Sequence, residues 1–258
     1  MEKFVVIALF ALILGGFGWV LYQGHRLLKA QDEARALLAM KRDWTYASGR
    51  PVNFTFHGRA EGSDWSFEYR TEVRGKKSHC SAHWCAPALR APRLTWLVLG
   101  RARARSEGGL AAQFLSGLLA LRLPGERAGV DDRQAFLEHA RELPVAALKE
   151  QFAVLALPGA PAPAVDDEIV RRLLRWPAAA GGSGRGTQMR ITSGAGGVRM
   201  DRRSRGGFAP ADQVELRWDS EGLHIYLHEP PAEAAVCEHV IDLGLALLAR
   251  AGATRRAA

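Results

Sequence analysis

The chain has 258 residues, 48% of them hydrophobic, which excludes an extended disordered protein and allows one large or two small packed domains. Its formal net charge of +8 rests mainly on arginine and points weakly toward anionic partners. Three cysteines are too few for a disulfide framework.

The first element is the run from Phe4 to Tyr22, nineteen residues without a charge. At about 1.5 Å per residue a helix of that length covers roughly 28 Å, close to the ~30 Å of a hydrocarbon core. Trp19 and Tyr22 end the run, where amphipathic rings favour the head-group layer. No A-x-A-like cleavage site follows it, so residues 1–22 are expected to remain as a single transmembrane anchor, with membrane lipid around residues 4–22 as the first partner. Beyond the span lie Arg26, Lys29, Arg35, Lys41 and Arg42, against only Lys3 before it. That bias places the following body on the cytoplasmic side of a bacterial inner membrane rather than in the periplasm.

Residues 23–43 keep a helical pattern, with Leu27, Leu28, Ala34, Leu37 and Leu38 at three- and four-residue steps, and read as a juxtamembrane helix. A first α+β half is expected over residues 44–148. Val52, Phe54 and Phe56 alternate, Glu61–Asp64 turn the chain, and Trp65, Phe67, Tyr69 and Thr71 alternate again, which predicts a β-hairpin with a buried aromatic face. Leu94–Gly100 reads as a buried strand, Leu110–Leu123 as an apolar helix ended by Pro124 and Gly125, and Asp131–Pro144 as a second helix.

A second α+β half is expected over residues 149–251. Phe152–Gly159 reads as a strand, and Val165–Pro177 as a helix with acidic residues first and arginines late, as the helix dipole favours. Two hairpins follow, one turning at Gly194–Gly197 and one at Asp219–Gly222. Val236, Val240, Leu243 and Leu247 form a helical stripe, and residues 252–258 read as a flexible tail. The fold class is therefore α+β: one transmembrane helix followed by β-hairpins packed with apolar helices.

The stretch Ser78–Cys85, SHCSAHWC, concentrates residues able to carry chemistry. His79, Cys80, His83 and Cys85 are of zinc-ligating types, but four ligands within seven residues crowd a tetrahedral ion that usually draws pairs from two segments. Flanked by Arg74–Lys77 and Pro87, the stretch reads first as a surface loop with Trp84 tucked against the hairpin. A metal site and a Cys80–Cys85 disulfide in an oxidising compartment are the competing readings. His224, Tyr226 and His228 share one side of a predicted strand, opposite Leu223, Ile225 and Leu227, and read as solvent-facing. Arg202, Arg203 and Arg205 are the candidate anion-binding residues, although a single RRSRGG without interleaved aromatics disfavours nucleic acid.

No GxSxG, HExxH or kinase set is present, no catalytic residue is assigned, and no cofactor is expected. The sequence reads as a membrane-anchored, non-enzymatic interaction or assembly module with an unidentified protein partner, and a homo-oligomer is allowed. Two alternatives stand beside that reading. One is a metal-dependent or metal-sensing enzyme using His79–Cys85, and the other a binder of anionic lipid or nucleic acid.

Overall fold

The computed structural model describes residues 2–49, 53–74, 77–107, 127–160, 165–179, 187–194, 197–204 and 210–257. Among these it gives the backbone alone for residues 2–14, 20, 74, 77, 106–107, 127–132, 177–179, 187–194, 197–204, 210 and 253–257.

Helix α1 runs unbroken from Glu2 to Arg42. Among the described residues no helix is long and apolar enough to cross a membrane; the run Phe4–Tyr22 falls largely on residues 2–14 and 20, where only the backbone is described. The helix stops at a Schellman cap. Asp43 takes a left-handed φ of 56°, its N–H reaches Met40 O at 3.4 Å, and the Trp44 N–H reaches Ala39 O at 2.8 Å. The last turns are locked to the body. Leu38 and Ala39 are buried, the buried Arg35 donates to Ala232 O at 3.1 Å, and Arg42 pairs with Asp242 at 3.1 Å and with Glu238.

Nine strands form one antiparallel sheet: β1 (Thr45–Ser48), β2 (Phe54–Ala60), β3 (Ser63–Arg74), β4 (Lys77–Ala86), β5 (Trp96–Gly100), β6 (Arg141–Leu143), β7 (Phe152–Ala156), β10 (Val214–Asp219) and β11 (Gly222–His228). Their order is β1-β2-β3-β4-β11-β10-β5-β7-β6, so strands from residues 44–148 and 149–251 interleave. β8 (Thr187–Gly194) and β9 (Gly197–Ser204) pair separately as the expected hairpin. The other helices are α2 (Arg101–Glu107), α3 (Arg127–His139), α4 (Asp167–Ala179) and α5 (Ala234–Ala257).

One sheet face is apolar from β2 to β7. Register lines up Phe56, Phe67, Trp84, Ile225, Leu216, Val98 and Val154 across successive strands, and all are buried. Ile169, Leu173 and Trp176 of α4, the Val236–Leu247 stripe of α5 and Ala39 of α1 close the core over this face. α4 starts on a side-chain cap, since Asp166 Oδ1 accepts the N–H groups of Glu168 at 3.1 Å and Ile169 at 3.0 Å. The other face is apolar only at one end, where Leu97 and Leu99 of β5 meet Leu94 and Phe136 of α3. Over β3, β4, β11 and β10 it is polar.

The aromatic hairpin, the Asp219–Gly222 hairpin and the α5 stripe agree with the sequence reading. Four expectations change or stay open. Ser78–Cys85 is not a loop but most of strand β4. The helix expected through Pro144 ends at His139, and Arg141–Leu143 becomes the edge strand β6. The backbone of α5 is helical to Ala257, through most of the segment read as a tail. Leu110–Leu123 lies outside the described residues.

Candidate functional site

A strand points successive side chains to opposite faces, and this rule sorts the residues of β4. Cys80, Ala82, Trp84 and Ala86 turn to the core, while His79, Ser81, His83 and Cys85 turn to the polar face. Register then sets Cys85 opposite His224 and His83 opposite Tyr226 on β11, with Arg217 of β10 opposite His224 on the other flank.

The resulting cluster is tight. His83 Nε2 lies 2.9 Å from His224 Nδ1, so one ring donates and the other accepts. The His83 ring stacks on Tyr226 with centroids 4.4 Å apart. His224 is only 2% exposed; its Nε2 lacks a hydrogen-bond partner and stands 3.4 Å from Asp219 Oδ1, close enough for attraction but without hydrogen-bond alignment. Asp219 Oδ1 accepts the N–H of Glu221 at 2.8 Å, its Oδ2 pairs with Arg217, and Arg217 Nη2 donates to Tyr226 Oη at 3.0 Å. Donor atoms of His83, Cys85 and His224 lie within 4.8 Å of one another, and those of Asp219, Glu221 and His224 do likewise.

Burial, with help from His224 and Arg217, lowers His83 to about 4, leaving a neutral imidazole at neutral pH. Burial and the carboxylates of Asp219 and Glu221 push the Cys85 thiol up to about 11. Burial also raises Tyr226 to about 12. Asp219 goes the other way: burial works to raise it, but His224, the Glu221 N–H and Arg217 together hold its carboxyl below the usual range. A protonated thiol beside an unprotonated imidazole is not the thiolate–imidazolium pair of a cysteine nucleophile. What converges here is a set of metal-ligating donors.

Beside the cluster, Glu215 is 3% exposed and carries a second network. Arg133 of α3 reaches it at 2.6 Å and Arg103 of α2 at 2.9 Å, so one carboxylate fastens both helices to the polar face.

Of the sequence candidates, His83 and Cys85 come together, whereas Cys80 is separated by the sheet and sits 3.7 Å from Thr71 Oγ1. His79 shares the polar face but lies four positions from His83, about 13 Å along a strand. It is exposed, and its Nδ1 is 3.8 Å from Glu229. His224 proves buried, contrary to the solvent-facing reading, because β4 and β10 flank it on both sides; His228 at the strand end is exposed. Arg202 and Arg203 fall on β9, where the backbone alone is described, and Arg205 lies outside the described residues.

Sequence reasoning missed Asp219, Arg217 and Glu215, although alternation along β10 already puts all three on one side. Two clefts lie elsewhere. One of about 780 Å³ is lined by Arg93, Phe136, Glu138, His139, Arg141 and Leu157. One of about 210 Å³ is lined by Arg171, Arg172, Arg175, His239 and Glu168, with Arg172 already paired to Glu168 at 2.8 Å. Comparison with protein-family models, with curated proteins and with solved structures finds no match to this chain.

Proposed function

We propose that the chain is a single-pass membrane protein of the bacterial inner membrane whose α+β body serves as an interaction or assembly module on the cytoplasmic side. The observation that carries this reading is α1. Phe17, Trp19, Leu21 and Tyr22 are each about 60% exposed, with nothing among the described residues packed over them, and lipid is the solvent that suits such a surface. The same helix continues without a break into turns packed on the core, so the anchor meets the body through a stiff stalk rather than a floppy linker.

At the base of that stalk Leu37 and Met40 stand bare, one helical step apart, while Arg35, Leu38 and Ala39 face the body. This outward pair is the surface assigned to a protein partner. Fractionation tests the anchor: the full chain should stay with membranes through high salt and alkaline carbonate, and deletion of residues 1–22 should release it. Full-length protein in the wash would overturn the reading. For the partner surface, a Leu37→Arg, Met40→Arg variant should migrate as a smaller species than the parent on native gels of mild-detergent extracts. Unchanged migration would remove that assignment.

A further inference from the structure

We propose that Cys85, His83 and His224 form a binding site for one divalent, zinc-class ion, with Asp219 positioning His224 and the fourth position facing solvent. The site stands on the cluster's own geometry and does not depend on how the chain meets the membrane.

Donor chemistry comes first. One sulfur and two imidazole nitrogens within 4.8 Å form a set that zinc accepts in three-ligand sites with an open position. Ligand bonds of about 2.0–2.3 Å place tetrahedral neighbours roughly 3.5 Å apart. His83 Nε2 and His224 Nδ1 stand 2.9 Å apart and would open by roughly 0.5 Å to admit the ion, while the Cys85 sulfur, within 4.8 Å of both, would close in. A proton shared between the two ring nitrogens accounts for their 2.9 Å approach, and a metal ion would take the place of that proton.

Position comes second. His83 and Cys85 are alternate residues of β4, and His224 is the direct partner of Cys85 on β11, so two paired interior strands fix all three backbones. Orientation is the third argument. For Nδ1 of His224 to present a lone pair, its proton must sit on Nε2, the buried atom that now lacks a hydrogen bond and faces Asp219 at 3.4 Å. A carboxylate behind a ligating histidine fixes tautomer and ring angle in this way. Asp219 is itself held by the N–H groups of Glu221 and Gly222. Charge is the fourth. Asp219 and Glu221 outweigh Arg217, and a bound ion that displaced the Cys85 thiol proton would add a third negative charge, which favours a divalent over a monovalent ion.

The competing account is that His83 and His224 simply satisfy each other in a structural hydrogen bond. Cobalt(II) titration of the full chain in detergent, after chelator stripping, separates the two. The expected result is a thiolate-to-cobalt charge-transfer band saturating at one equivalent and displaced by zinc(II). Cys85→Ser should abolish the band, and Asp219→Asn should weaken affinity by about 10–100-fold. His79→Ala and Cys80→Ser should leave both unchanged. Should Cys85→Ser fail to fold by circular dichroism, a Cys80→Ser, Cys237→Ala protein decides alone, because Cys85 is then the one thiol left in the sequence and a retained band requires it. Absence of saturable binding, a band that survives in folded Cys85→Ser, loss in Cys80→Ser, or uptake of copper(I) without zinc(II) or cobalt(II) overturns the proposal.

Discussion

Glu215 shows how one side chain can hold two elements. Burial of its carboxyl works to raise its protonation point, yet Arg133, Arg103 and Arg217 outweigh burial and hold it below the usual carboxylate range. A folded value depressed below the unfolded one gives stability that is present above the unfolded range and lost as pH falls through the folded value. Wild-type melting temperature should therefore hold at neutral pH and fall below about pH 4, and Glu215→Gln should flatten that acid limb. At pH 7 the same substitution leaves the Arg103 and Arg133 guanidinium groups facing a neutral amide. It should cost about 3–5 kcal/mol, read from urea midpoints across the pH series. An acid limb as steep in the variant as in the parent would assign the pH dependence to other carboxylates. Gly244 is the opposite case, a residue needed for what it lacks. A Cβ there would fall on the Trp84 indole, where α5 crosses the centre of the sheet. Gly244→Ala should cost about 1–3 kcal/mol by overpacking, and an unchanged melting temperature would mean that α5 can lift away from Trp84.

At the scale of elements, legibility followed the clarity of the pattern. The hairpin of Phe54, Phe56, Trp65, Phe67 and Tyr69 could be read because large rings alternate with polar residues on both sides of a turn. β4 has the same period, but on its core side Cys80, Ala82 and Ala86 are too small to announce a buried face, and only Trp84 does so. Lys-rich residues before it and Pro87 after it then resemble loop borders, although Lys77 is already the first residue of β4 and Pro87 follows its last, Ala86. The site was legible in part for a related reason. Its residue types were visible on β4, but the ligand that completes it, His224, is 141 residues from His83 in the chain, and no local spacing reveals that pairing. The strand also answers the disulfide question. Cys80 and Cys85 are separated by an odd number of positions and face opposite sides, so they cannot bridge without breaking the strand. Diamide treatment of the folded protein should yield no Cys80–Cys85 peptide by mass spectrometry, and the bridge should appear only after urea unfolding. A native bridge would mean that β4 is not a strand in solution.

At the scale of the whole molecule, the opposed facing of Cys80 and Cys85 removes a disulfide as an indicator of compartment for the proposed anchored arrangement. Sidedness must then rest on charge and be tested by topology. The positive residues after the proposed span are not all alike: Arg35 is buried over the Phe54 ring at 4.1 Å, and Arg42 is tied to α5, so both have work within the fold. Arg26, Lys29 and Lys41 remain exposed on the stalk, and they still outnumber the single Lys3 on the other side. If the proposed anchor spans the membrane, retention of positive charge on the cytoplasmic side would hold the body inside. A fluorescent reporter that matures only in the cytoplasm, fused after α5, should be bright, while a phosphatase active only outside should be silent. Replacing Arg26, Lys29 and Lys41 by glutamine should weaken that preference while leaving Arg35, Arg42 and the body's melting temperature unaffected. Strong phosphatase activity from the parent chain would reverse the orientation, and with it the compartment in which a metal ion would reach His83, Cys85 and His224.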